Sequence, residues 1–190
     1  MSKRTVVLDE TDPRELEARI VLPEELRNKF SFGTPTQKNI ATLRALNIAC
    51  LPVRYRHYFY EQVLQRDSRL TRLVYFNDVL VGGVCTRIEN NVDLYVMSIT
   101  VLKPYRRMKI GSYLMNYIIN FAKQNSYIKR IYLNVHTLNV AAIKFYENAF
   151  GFVNVKEEKG YYSNLNPPDC FVLEKIVREE TGKGSKSAGH

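Results

Sequence analysis

The chain has 190 residues, 45% hydrophobic and 25% charged, which fits one domain with room for an appended segment and excludes global disorder. No apolar run reaches the roughly 18 residues that a bilayer span needs, and the start, Met1-Ser2-Lys3-Arg4-Thr5, has no signal-peptide pattern, so a soluble intracellular protein with no membrane partner is expected. The net charge of +9 falls almost wholly in the middle of the chain, and a domain so charged attracts anions: a nucleotide cofactor, ribosomal RNA or an acidic protein.

Three zones follow in chain order. Residues 1–28 read as a charged N-terminal extension with a short helical stretch over Asp12 to Ala18 and again over Glu24 to Lys29, Pro13 marking a helix start. Residues 29–177 carry the pattern of a packed α/β domain, and residues 178–190 read as a flexible tail. Within the domain, Lys29 to Gly33 forms a short strand. Thr36 to Cys50 is helical, with Ile40, Leu43, Leu46 and Ile48 near one face and Pro52 ending the run. Tyr58 to Gln65 is a second helix. Leu70 to Phe76 and Val79 to Ile88 form a hairpin around the turn Asn77-Asp78. Asp93 to Leu102 is a long apolar strand, and Ile110 to Asn125 is the strongest helix, with Leu114, Ile118, Phe121 and Ala122 on one stripe. Arg130 to Val135 is a strand, Asn139 to Ala149 a helix closed by Gly151, and Phe152 to Lys156 and Asp169 to Lys175 the last strands. The fold class is therefore α/β, an α+β mixed sheet with helices on its faces.

Cys50, Cys85 and Cys170 are odd in number and form no CxxC pair, so neither a disulfide framework nor a zinc site is expected; they read as buried small apolar side chains in a reducing compartment. No metal is expected.

The turn Tyr105-Arg106-Arg107-Met108-Lys109-Ile110-Gly111-Ser112 lies between the long strand and the strongest helix. The first amides of a helix have no partner inside it, and together with the helix dipole they form an anion site. Gly111 lets the backbone come close to a phosphate, and Arg106, Arg107 and Lys109 add positive charge. Neither a Walker loop nor a Rossmann fingerprint is present.

This turn and the later run Asn139-Val140-Ala141-Ala142-Ile143-Lys144-Phe145-Tyr146-Glu147-Asn148-Ala149-Phe150-Gly151-Phe152 resemble the two acetyl-CoA motifs of the GNAT superfamily. Leu51-Pro52-Val53-Arg54-Tyr55, Tyr75-Phe76-Asn77-Asp78, Val81-Gly82-Gly83-Val84-Cys85, Leu94-Tyr95-Val96-Met97 and Tyr161-Tyr162 are similar to the San-type N-terminal acetyltransferases of NatE. The resemblance implies a twisted mixed sheet of about seven strands with about four helices and a transfer of acetyl from acetyl-CoA, releasing CoA, to the free amine of proteins beginning with Met and a hydrophobic residue. Ile99, Thr100 and Val101 would offer backbone to the pantetheine arm, Arg106 to Ser112 would hold the pyrophosphate, and Asn139, Ala142 and Tyr146 would line the thiol end, with Tyr146 placed to protonate the leaving thiolate. Leu51, Pro52, Val53, Tyr55 and Met97 would form the acceptor pocket, covered by Tyr161 and Tyr162. The implied partners are nascent protein N-termini, the auxiliary and catalytic subunits of NatA, and the ribosome through the basic surface; the implied location is the cytoplasm, with the nucleus as a second.

Two positions depart from the family. Its tyrosine of the base pair matches Tyr95, but its histidine aligns with Asn134, which is no useful base although it can orient a water. His136 lies two residues on, on the same strand face, with its origin roughly 6.5–7 Å away. Three readings stand open: His136 acts through water, Tyr95 acts with a water held by Asn134, or there is little or no turnover. The second departure is Lys109, where the family has its first motif glycine. Glycine is needed only where φ is positive or the backbone is crowded, and helix-start residues normally have negative φ, so a retuned CoA site is expected rather than a lost one. A catalytically weak or inactive CoA-binding adaptor, and a GNAT acting on lysine or small amines, remain the competing functions.

Overall fold

The computed structural model describes residues 28–178. The helical stretches expected before Asn28 and the tail after Arg178 lie outside the described residues, while Asn28 and Lys29 form a turn rather than helix. In chain order the elements are β1 (Phe30–Gly33), α1 (Ile40–Cys50), α2 (His57–Gln65), β2 (Thr71–Phe76), β3 (Val79–Glu89), β4 (Asp93–Val101), α3 (Ile110–Gln124), β5 (Arg130–His136), α4 (Val140–Phe150), β6 (Val153–Glu158) and β7 (Cys170–Ile176). The strands form one seven-stranded sheet in the order β1-β2-β3-β4-β5-β7-β6. Every pairing is antiparallel except that of β4 with β5, which is parallel.

Alternation along the strands sorts side chains onto two faces. Leu73, Leu80 and Cys85 pack with Leu43, Leu46, Tyr60 and Val63 of α1 and α2. Val74, Val81, Val84, Leu94 and Val96 turn the other way, under the stripe of α3 that includes Leu114, Ile118, Phe121 and Ala122. The tight turn after β2 is as expected: Asn77 and Asp78 both have positive φ (46° and 64°), which short polar residues tolerate and which matches the twist of a hairpin.

The first helix differs from the expectation in two ways. It begins at Ile40 because Thr36 to Asn39 form a turn, in which the Thr36 amide donates to Asn39 Oδ1 at 2.7 Å. Its inner face includes Asn47, 2% exposed, whereas Ile48 is 42% exposed. Asn47 Oδ1 accepts from the Thr100 hydroxyl at 3.4 Å, so a polar residue buttresses β4 from behind.

Two features open the sheet. The β4–β5 ladder joins Asp93 to Arg130, Leu94 to Ile131, Tyr95 to Tyr132 and Val96 to Leu133, and ends there. Beyond it β4 follows β3 and β5 follows β7, so the two strands part. The cause lies in the β3 register, where Cys85 faces Ser98 and Thr86 faces Val96, leaving Met97 as an extra residue. Such a bulge bends its strand and sharpens its twist. At the closed end of the ladder, away from the opening, Arg130 clamps the Asp93 carboxylate through Nε (2.8 Å) and Nη2 (2.9 Å) and reaches Glu174 on β7 at 3.0 Å.

Candidate active site

The parting strands bound a cleft of about 1290 Å³ that runs from the start of α3 to the β6–β7 loop. Of the residues expected at the site, Tyr95, Asn134, His136, Tyr146, Ile99, Thr100, Val101, Arg106, Arg107, Lys109, Ile110, Gly111, Ser112, Asn139, Ala142, Leu51, Pro52, Val53, Tyr55, Met97, Tyr161 and Tyr162 all line it. Met108 does not; it is half-buried against the main core. Thr100 is 2% exposed and its hydroxyl points to Gly83 O and Asn47, so it borders the cleft with its backbone.

At one end, a turn over Lys103–Tyr105 leads from β4 to α3. The first backbone hydrogen bond of α3 runs from Tyr113 N–H to Lys109 O at 2.9 Å, which leaves the amides of Ile110, Gly111 and Ser112 without helical partners. Lys109 is the residue before the helix and has φ 62° and ψ 8°, the left-handed region. Arg107 is left-handed as well, at φ 71°. The expectation of an ordinary negative φ at Lys109 is therefore corrected: the chain turns sharply here, and a side chain in this conformation costs about 1–2 kcal/mol. Gly111 has no unusual φ, and a Cβ there would meet only the Phe145 ring at an ordinary 3.5 Å. The tight glycine is Gly82 on β3, where a Cβ would lie 2.8 Å from Ile110 Cγ2; its absence lets the helix start settle onto the sheet. Arg106 folds back, its Nε donating to Val101 O at 3.1 Å, so part of the backbone expected to meet a ligand at Val101 is already engaged.

Along the middle, β4 from Met97 onward has no strand partner on its cleft side. Tyr146 of α4 is 6% exposed, packed against Phe145 and Phe152, and burial raises its phenol well above the ordinary tyrosine value. Asn139 caps α4, its Oδ1 accepting from the Ala142 amide at 3.2 Å.

The far end is walled by aromatics. The Tyr55 hydroxyl donates to the carbonyl of the bulged Met97, and its ring stacks on Phe59 with centroids 4.0 Å apart. The Tyr95 and Tyr161 hydroxyls lie 3.2 Å apart, Tyr161 and Tyr162 meet edge to face, and Asn164 Nδ2 donates to Pro52 O at 3.4 Å. The phenol of Tyr95 is held far above its ordinary value, first by burial and then by the Tyr161 hydroxyl, so it is a neutral donor at neutral pH rather than a phenolate base. His136 Nε2 lies 2.7 Å from Pro167 O.

Among the described residues, those lining the cleft include Arg56, Arg87, Arg106, Arg107 and Lys109 and neither Asp nor Glu. Among the described residues no group of His, Cys, Asp and Glu is placed to hold a metal, and no helix is long and apolar enough to cross a membrane. Sequence reasoning missed Phe59, Arg56 and Asn164, which have no motif of their own, and the His136–Pro167 contact, whose partners are 31 residues apart.

The profile described as the Acetyltransferase (GNAT) family matches residues 40–152. N-alpha-acetyltransferase 50 of Danio rerio is 38% identical over 156 residues, which cover 80% of this chain and 92% of that protein. The probable N-acetyltransferase san of Drosophila melanogaster is 39% identical over 155 residues, covering 80% and 83%. Among solved structures, Arabidopsis thaliana Naa50 in complex with the bisubstrate analogue CoA-Ac-MVNAL superimposes with a TM-score of 0.71 at 36% identity, covering 77% of this chain and 98% of that one.

Proposed function

The chain belongs to the GNAT acetyltransferase family, on its San-type N-terminal acetyltransferase branch, and from that premise we propose that it moves acetyl from acetyl-CoA to the α-amine of proteins that begin with Met and a hydrophobic residue. The carrying observation is the cleft itself: an unpaired strand edge with a basic helix start at one end and an aromatic pocket at the other. The donor set fits an anionic carrier, since three amides without helical partners, Arg107 and Lys109 face it and, among the described residues, no carboxylate does. The unpaired edge of β4 fits an extended arm with amide groups. Acetyl-CoA, when bound, supplies the acetyl group as a thioester.

The apolar walls at Leu51, Val53, Tyr55 and Phe59 suit an unbranched Met side chain, and the Met-first peptide on the Arabidopsis relative supports the same choice. An α-amine ordinarily titrates near 8, so at neutral pH a useful fraction is already neutral. The amine nitrogen attacks the thioester carbonyl, the carbon–sulfur bond breaks, and the ammonium proton leaves through water. Tyr95 and Asn134 are suited to orient that water rather than to remove the proton themselves, because the Tyr95 phenol is held neutral and an amide is not basic. Tyr146, also kept protonated by burial, is suited to donate a hydrogen bond to the departing sulfur. A lysine acceptor, ordinarily near 10.4, would need a stronger base than the lining residues offer.

A second reading, a CoA-binding subunit with little turnover that docks on NatA subunits or the ribosome, is favoured by Asn134 and by the left-handed Lys109, with the +9 charge supporting the docking. We further propose that the protein works on nascent chains in the cytoplasm, and secondarily in the nucleus. The deciding experiment incubates the purified chain with acetyl-CoA and a Met-Leu peptide, its amine free or blocked. Acetylation of the free peptide alone is expected; a rate no greater than without protein would overturn the catalytic reading.

A further inference from the structure

The β6–β7 loop covers the acceptor end with Tyr161 and Tyr162, and its neck is closed on itself. The Gly160 amide donates to Asp169 Oδ1 at 2.9 Å, and the Tyr162 amide to Pro168 O at 2.7 Å. These bonds shape the loop without fixing where it sits. Its seat is set by the Tyr95–Tyr161 and Asn164–Pro52 contacts, by the Thr137 amide donating to Asp169 O at 3.2 Å, and by one side chain of the adjoining strand that reaches the prolines: His136 Nε2 is 2.7 Å from Pro167 O, and the imidazole meets the Tyr162 ring edge to face with centroids 5.8 Å apart. A carbonyl oxygen only accepts, so Nε2 must carry the hydrogen, and the ring's one lone pair is left on Nδ1, the nitrogen that does not hold the loop.

We propose that His136 is a positioning residue for acceptor binding: it latches the tyrosine loop over the cleft and takes no part in proton transfer. The inference rests on the reading of this end as the acceptor site. It follows that any side chain presenting an N–H at the reach of Nε2 serves equally, and the amide of glutamine does so without titrating.

The test uses the full chain as wild type, His136→Ala and His136→Gln, with acetyl-CoA and a Met-Leu peptide. His136→Ala should raise the peptide KM about tenfold, the worth of one such hydrogen bond, with kcat within about twofold, and His136→Gln should restore KM. A kcat lost equally in both variants, the result for a base, overturns the proposal, as does an unchanged KM in His136→Ala. Amide hydrogen exchange over residues 160–169 is read in parallel without substrate. It should quicken in His136→Ala and return in His136→Gln; no change in His136→Ala overturns the latch. Should the wild type turn over no peptide, the functional reading fails while the exchange comparison still decides the latch.

Discussion

The hydroxyl of Tyr95 on β4 stands 3.2 Å from the hydroxyl of Tyr161 in the β6–β7 loop. The pair joins the wall of the cleft to its cover at the point where the acceptor amine would sit. Desolvation of the Tyr95 ring and its hydrogen bond with the exposed Tyr161 keep Tyr95 protonated, which separates orienting a water from removing a proton.

Tyr95→Phe is expected to lower kcat about tenfold, the loss of one orienting hydrogen bond. The rate of the wild type should rise with pH toward the acceptor amine's own value near 8, because the neutral amine is the reacting form. Initial rates from pH 6 to 9 check this; a separate ionisation that vanishes in Tyr95→Phe would show the phenol acting as the base.

Asn134 lines the cleft beside Leu133, the last residue of β5 paired with β4. Asn134→His places an imidazole, ordinarily titrating near 6.5, where the amide now stands. We expect kcat to rise about tenfold or more, with a new inflection near that pH below which the gain is lost as the ring protonates. Equal kcat in the two proteins would mean that water alone suffices.

Lys109 combines a positive charge with a left-handed backbone. Lys109→Gly removes both the charge and the strain, and Lys109→Ala removes the charge alone. The glycine variant should be more stable than the alanine variant by about 1 kcal/mol, a difference of roughly 2–4 °C in Tm for a chain of this size. Both should bind CoA more weakly than wild type at low salt, and the gap should narrow at high salt as screening replaces the lost charge. Thermal melts and CoA titrations at two ionic strengths read both effects.

Arg130 holds Asp93 at the closed end of the β4–β5 ladder, and its guanidinium keeps the carboxyl below the ordinary carboxylate range. A depressed folded-state value means that the unfolded chain binds the proton more readily. The pair's contribution is therefore complete above about pH 4 and is lost as pH falls through the depressed value. Arg130→Ala should cost about 2–3 kcal/mol at neutral pH, since it leaves a nearly buried carboxylate unpaired. Urea melts between pH 2.5 and 7 should show an acid-sensitive limb that shrinks in Asp93→Asn.

Periodicity and turn chemistry were enough to read the elements from Phe30 to Ile176, because each obeys a local rule: period two in β4, a 3.6-residue stripe in α3, Asn77-Asp78 in the hairpin, Gly151 closing α4. Helix-start amides beside Arg106 and Arg107 were legible for the same reason, since their chemistry follows from chain direction. Three things were not. Ile48 and Asn47 exchange places at the core because the sheet, not the helix, decides which side is inside. The left-handed Lys109 arises where a helix must start flush on Gly82, a contact between residues far apart in sequence. The His136–Pro167 bond likewise exists only because β5 and the β6–β7 loop meet in space. Local backbone preferences are written into neighbouring residues and survive as pattern, whereas the opening of β4 from β5, the strain before α3 and the seat of the tyrosine loop come from contacts that close only when the whole sheet has assembled.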